Sequence, residues 1–192
     1  NQSAKPVSIQ CELYRANDIE NFDTCMLRAV TDQGCEVLYY VSHALHYNER
    51  PHFIYHFEKA DLICNCDEPG FVEDCVYARY PDGTLVNYGP ATPNPFSKQE
   101  LCIDAILNGT ADALPRGIEA ATPHLFTINF LADHVPIHNF PAENIVRSQE
   151  LQATYVPDLE KVMLRCYDQA KLPHELGDVA WAQDAQVFST AD

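Results

Sequence analysis

The residues of this 192-residue chain best equipped for metal or nucleophile chemistry are eight histidines and eight cysteines. "SHALHYNERPHFIYHFE" (Ser42 to Glu58) carries His43, His46, His52 and His56. Zinc favours His at helical spacing with a carboxylate to complete the shell. His52 and His56 instead sit in strand-like sequence, where four residues place them on one face about 13 Å apart, too far to share an ion. His43 and His46 fall in no helical pattern. "CNCDEPGFVEDC" (Cys64 to Cys75) lacks the C-x-x-C spacing of a zinc knuckle and reads as buried thiols near a turn. Its acidic residues lack the EF-hand pattern, and no Ser lies in a G-x-S-x-G elbow. These patterns predict no bound metal.

The seven glycines include no G-x-G-x-x-G and no P-loop spacing, so the chain carries no recognisable cradle for a dinucleotide or a phosphate. "TPHLFTINFLADHVPIHNF" (Thr122 to Phe140) is more unusual. His124, Asn129, His134 and His138 alternate with large apolar residues on an expected helix and strand. Such groups can point into a pocket as donors and acceptors for hydroxyls. They can equally be a solvated helix surface with its cap.

The elements that would position these groups follow from periodicity. Val7, Ile9, Cys11 and Leu13 alternate with Ser8, Gln10, Glu12 and Tyr14, the pattern of a half-buried strand. Thr24–Thr31 and Cys35–Ser42 read as a hairpin around "TDQG" (Thr31 to Gly34). Strands over 52–58, 60–66, 71–80 and 84–88 extend this into a meander, the last pair joined at "PDG" (Pro81 to Gly83). A Pro-rich run, Tyr88 to Phe96, then changes the character of the chain. Ser97 and Glu100 have capping-box spacing for a helix through Ile106. A second helix spans Gly117 to Asp133, with Pro123 as a candidate start capped by Thr122. Strands at 136–140 and 151–156, a helix from Pro157, and a final strand over 179–188 complete the reading.

Strands, then helices, then a strand predict one α+β domain over 1–192: an open, mostly antiparallel sheet with helices on one face. Leu38, Tyr40, Phe53, Tyr55, Phe57, Val76 and Tyr80 supply more apolar surface than a few helices can cover. The other face is therefore expected to serve oligomerisation.

Twelve basic against 28 acidic residues, a net charge of −16, argue against nucleic acid or an anionic membrane as partner. No apolar run approaches the ~20 residues needed to span a bilayer. "NQSAKPVSIQ" lacks the pattern of a signal peptide. The chain does not begin with Met, so Asn1 reads as an internal residue of a longer protein, and an upstream export signal stays open. The cysteines, mostly among apolar residues, read as thiols in a reducing, cytoplasmic compartment.

Three phrases in order, "PVSIQCELYRANDIENFDTCMLRAVTDQGCEVLYYVSHA", "PHFIYHFEKADLIC" and "EAATPHLFTINFLADHVPIHNFP", resemble the C-terminal domain of the glucose–fructose oxidoreductase / inositol dehydrogenase / rhizopine-catabolism (Gfo/Idh/MocA) oxidoreductases. The resemblance covers most of the chain. It implies a two-domain parent whose N-terminal Rossmann domain binds NAD or NADP. The C-terminal domain then forms the substrate side of the cleft and the oligomer interface. The implied reaction moves a hydride between nicotinamide and a hydroxyl carbon of a sugar, cyclitol or related polyol.

Both catalytic motifs of that family are missing. Of the Glu-Lys-X matches to its E-K-P, "EKA" (Glu58 to Ala60) lies inside strand-like sequence and neither it nor "EKV" (Glu160 to Val162) carries the proline, and no Asp has a His four residues on, as D-x-x-x-H requires. The resemblance thus implies substrate recognition and assembly without hydride transfer by this chain alone, and no catalytic residue. By their place near the matching phrases, Arg15, Asp23, His43, His124 and Asn129 are the implied substrate-binding residues. Asp23 has a second reading, as a group that holds backbone at the "NFDT" bend (Asn21 to Thr24). Two other classes remain open. A freestanding ligand-binding or dimerisation module needs no catalytic motif, and a metal-dependent hydrolase using His43, His46 or Cys64 would need a bound metal.

Overall fold

The computed structural model describes residues 3–47, 50–66, 69–91, 94, 96–110, 114 and 117–190. In chain order the strands and helices are β1 (Pro6–Arg15), β2 (Thr24–Thr31), β3 (Glu36–Ser42), β4 (Phe53–His56), β5 (Asp61–Cys64), β6 (Cys75–Arg79), β7 (Leu85–Pro90), α1 (Ser97–Leu107) and α2 (Ile118–His134). They continue with β8 (Ile137–Asn139), β9 (Val146–Ser148), β10 (Ala153–Tyr155), α3 (Leu159–Gln169), α4 (Pro173–Leu176) and β11 (Val187–Ser189). The fold is α+β, with open and mostly antiparallel sheets.

The chain divides into two compact units. Asn1–Asn48 with Pro115–Asp192 form one, and Glu49–Leu114 the other. The reading of 1–192 as a single domain rested on one continuous meander. The strands instead form separate sheets, ordered β11-β1-β2-β3 in the first unit and β4-β5-β6-β7 in the second.

In the first unit β1 is the centre. It pairs with β2 along one edge, and its other edge is shared between β11, opposite Ser8 to Gln10, and the parallel β8, opposite Leu13 to Arg15. Ile9, Cys11 and Leu13 join Cys25, Leu27 and Ala29 on one face, against Leu131 and Val135 at the end of α2. On the opposite face Tyr14 and Met26 pack with Phe140, Val156, Leu159 and Leu172. Helices thus cover both faces of this sheet rather than one. The polar half of the β1 alternation misleads here, because Glu12 and Tyr14 are buried and hydrogen-bonded rather than solvated.

Tyr40 shows the same reversal. Its hydroxyl donates to Lys171 O (2.9 Å) at the end of α3, which closes over it. The open apolar surface on β3 is Val37 and Tyr39, 44% and 53% exposed. Register places them beside Ala29 and Leu27, on the α2 side.

In the second unit Ile63 and Tyr77 are cross-strand partners in the sheet interior, and Phe71 rests on the Tyr77 ring. The β6–β7 hairpin turns at Gly83, whose φ of +84° suits glycine. Tyr55, Val86 and Tyr88 are exposed. Pairing puts Tyr55, Leu62, Ala78 and Val86 in one row across the sheet.

Some local readings shift. Phe96, not Ser97, is the N-cap of α1, and Asn94 takes the capping role by accepting from Phe96 N and donating to Glu100. Pro123 lies inside α2, which starts five residues earlier at Ile118. The helix tolerates the missing N–H near its first turns, and the Thr122 hydroxyl bonds back to Ile118 O. The final strand is only Val187–Ser189, and β9 and α4 had no legible period. Parts of the turn expected within "CNCDEPGFVEDC" (67–68) and of the Pro-rich run (92–93 and 95) lie outside the described residues. Among the described residues no helix is long and apolar enough to cross a membrane.

Arg28 tethers α4 to the sheet. Its guanidinium donates to both carboxylate oxygens of Glu175 (2.8 Å each), to Ala170 O (2.9 Å) and to Gln10 (3.1 Å). The hydrogen bond from Arg28 holds the Glu175 carboxyl below its ordinary value of 4.5. A carboxyl whose folded pKa is depressed stabilises the fold above its unfolded value and loses that contribution as pH falls through the folded value. Urea midpoints should therefore fall as pH drops below about 4.5. Glu175→Gln should flatten that fall, and an unchanged slope in the variant would refute the tether's role.

Candidate functional site

Three pieces of the first unit build one polar cleft. The first is the bend between β1 and β2. Asp23, 4% exposed, accepts through Oδ2 from Ala16 N (2.9 Å), Asn17 N (2.8 Å) and Asn17 Nδ2 (2.8 Å), and through Oδ1 from the Thr24 hydroxyl (3.0 Å). Arg15 clamps the outside of the bend, donating to Ile19 O (2.8 Å), Glu20 O (2.9 Å) and Asn139 Oδ1 (3.0 Å) of β8.

The second piece is the end of β3. His43 N donates to Asp23 O (2.8 Å), and Ser42 Oγ bonds the Thr24 hydroxyl (2.8 Å) and accepts from Ala44 N (2.9 Å). The third is the β9–β10 ribbon, whose turn puts Gln152 at φ +49° and in which Ser148 Oγ accepts from Leu151 N (3.1 Å). The bond from Val156 N to Ala44 O (3.0 Å) ties this ribbon to the residues after β3.

These pieces wall an open cleft of about 520 Å³ lined by Asn17, His43, Arg147, Gln149, Gln152 and Thr154, with Ser148 and Ala153. Amide, imidazole, guanidinium and hydroxyl groups, all able to bind hydroxyls, line it. Among the described residues no carboxylate lines the cleft. Because Asn17 Nδ2 is committed to Asp23, its Oδ1 remains as an acceptor for the cleft. Among the described residues Arg147 enters no ion pair, whereas Arg28, Arg50, Arg79, Lys161 and Arg165 all do.

Of the five residues expected to bind substrate, the structure brings one, His43, to the cleft wall. Asp23 sits behind it and fixes two lining residues, so it acts through them. Arg15 spends its guanidinium on backbone and Asn139 rather than on a cavity. His124 and Asn129 are exposed on α2 and line neither this cleft nor a second one of about 440 Å³ bounded by Lys5, Pro6, Glu119, Pro123 and Phe126. Sequence reasoning missed Asn17, Arg147, Gln149 and Gln152. The one available signal was Asn17, inside the quoted "YRAND" phrase two residues from Arg15.

No family model, curated protein or solved structure matches this chain.

The dinucleotide that the sequence resemblance implies for the parent belongs to its Rossmann domain, and the glycines of this chain offer no pattern for one. Nor do His, Cys, Asp or Glu gather in threes to hold a metal ion among the described residues. His56 is paired with Asp61 (2.8 Å), and His46 packs edge-on against Tyr155.

Cys11, Cys25, Cys35, Cys64, Cys75, Cys102 and Cys166 are free thiols. Cys11, Cys25, Cys64 and Cys166 are buried, whereas Cys35 and Cys102 are exposed. The bond between Cys11 and Cys25 (3.7 Å) and burial push the Cys11 thiol far up, and burial takes Cys166 up to about 12. Neither is a thiolate nucleophile near neutral pH.

Proposed function

We propose that this chain is the substrate-binding and oligomerisation domain of an NAD(P)-dependent oxidoreductase acting on a sugar, cyclitol or related polyol. The observation that carries the reading is the cleft. The "YRANDIENFDT" phrase, central to the family resemblance, folds so that Asp23 orients Asn17 and His43 into a wall of hydroxyl-binding groups. The wall positions a polyol but offers no carboxylate base, so hydride chemistry belongs to a Rossmann domain of the parent, which brings NAD or NADP. Val37 and Tyr39, exposed on β3, supply the surface for a homo-oligomer. Nucleic acid and membrane are no part of this reading, which assigns the parent to the cytoplasm; the buried thiols of Cys11, Cys25, Cys64 and Cys166 support that assignment.

The coding sequence upstream of Asn1 tests the proposal. In-frame codons for roughly 100 or more residues, holding a strand, G-x-G-x-x-G and then E-K-P, support it. A start codon immediately before Asn1 overturns it and leaves a freestanding ligand-binding or dimerisation module.

A further inference from the structure

We infer that the ligand of the cleft is an anionic polyol, a sugar skeleton bearing a carboxylate or phosphate, with Arg147 as the group that receives its charge. This rests on the reading of the chain as a polyol-binding domain and names the class of polyol.

The inference starts from charge. The chain carries 28 acidic and 12 basic residues, so its guanidinium groups have abundant carboxylates to meet. Among the described residues Arg28, Arg50, Arg79, Lys161 and Arg165 are paired in this way, whereas Arg147 makes no ion pair and no Asp or Glu lines the cleft with it. A guanidinium in a carboxylate-free wall is a ready partner for an oxyanion, which it can grip with two parallel N–H donors.

The surroundings fit the rest of such a ligand. Cross-strand pairing puts Thr154 opposite Arg147 on the ribbon. Gln149 and Gln152 follow around the turn, and Asn17 and His43 form the opposite wall. Amide and imidazole groups both donate to and accept from hydroxyls. The cleft therefore has one guanidinium and an otherwise uncharged polar lining, the combination that a sugar acid or sugar phosphate calls for. A neutral sugar would leave the guanidinium without a charged partner.

The test is titration of the full 192-residue chain with D-glucuronate, D-glucose 6-phosphate and D-glucose, read by amide chemical shifts and calorimetry. At least one anionic sugar should bind about tenfold or more tightly than glucose, with shifts at Asn17, His43 and Arg147. The comparison between glucuronate and the phosphate identifies which oxyanion the cleft takes. Arg147→Ala should bring the preferred anion down to the level of glucose, and Arg147→Lys should recover part of the loss. Arg147 is exposed, so unchanged circular dichroism should show that both variants fold.

Equal binding of glucose and both anions, unaffected by Arg147→Ala, overturns the inference and leaves the polyol reading standing. Silence from all three titrants at the cleft also overturns it, while the upstream coding sequence judges the oxidoreductase reading separately.

Discussion

Asp23→Ala should cost the protein about 3–5 kcal/mol of stability and abolish ligand binding in the cleft. The carboxylate takes four hydrogen bonds within 3.0 Å, from Ala16 N, Asn17 N, Asn17 Nδ2 and the Thr24 hydroxyl. Bonds to a charged acceptor contribute about 1.5–3 kcal/mol each in isolation, but four on one carboxylate act as a unit and do not simply add. The larger penalty lies in what remains. The N–H of Ala16, a buried residue, would face the space left by the carboxylate, out of reach of water.

Function should fail with the bend, because Asn17 loses both bonds that orient it. Asp23→Asn is the control. Its oxygen can take the place of Oδ2 and its amide can donate to Thr24 Oγ, so a loss of about 1 kcal/mol is expected. Urea unfolding followed by Trp181, the single tryptophan, reads both variants. A loss below about 1 kcal/mol in Asp23→Ala would mean that the bend is held by something else.

Glu12→Ala should be as severe, again about 3–5 kcal/mol, for a different reason. Glu12 is 2% exposed in the middle of β1. It accepts from the Tyr14 hydroxyl, from His174 Nδ1 (2.7 Å) and from His174 N (3.1 Å). Tyr14 in turn accepts from Gln183 N (2.9 Å), and its ring stacks on Phe140 and meets Trp181 edge-on. One carboxylate thus fastens α4 and the 181–183 segment to the sheet. The same contacts raise the Tyr14 hydroxyl pKa, through burial first and the Glu12 bond second, so Tyr14 stays a donor.

Truncating Glu12 leaves these donors without acceptors in the interior. Glu12→Gln keeps the shape, yet its new amide hydrogens would point at groups that already donate, so it should remain clearly destabilised. The cycle of Glu12→Ala with His174→Ala separates the pair from its surroundings. Strict additivity of the two single losses would refute the coupling.

The parts of this fold legible in the sequence are those fixed by local period and turn chemistry. β2 runs from Thr24 to Thr31 as its apolar run indicates, and Gly34, at φ +74°, makes the turn into β3. The reading of Asp23 as a backbone holder was also accessible, since Asp before Thr at a bend is a common way to satisfy stray N–H groups. What alternation could not reveal is that β1 is covered on both sides, because a buried Glu and a solvated Glu look alike in a sequence.

The cleft was illegible for a related reason. β9 and β10 have three residues each, too short to show a period, and Arg147 gains meaning only when the ribbon reaches His43 and Asn17, more than a hundred residues away. His124 and Asn129 drew attention as polar residues in an apolar run. On α2 they are exposed beside Leu125 and Ile128, which are themselves 60% and 45% exposed, so the pattern there does not mark an inward face.

The shared outer edge of β1 also sets an order of events during synthesis. Its hydrogen-bonding groups near Ser8 find their partners only in residues 187–189, and those near Leu13 only in residues 137–139. The first sheet therefore stays incomplete until residues 187–189 have left the ribosome. The second sheet needs nothing beyond Pro90 and is contiguous in sequence, so its strands can assemble while the partners of β1 are still untranslated. Throughout that interval β1 carries an unpaired edge along which another chain could dock, the hazard that the last few residues of the fold remove.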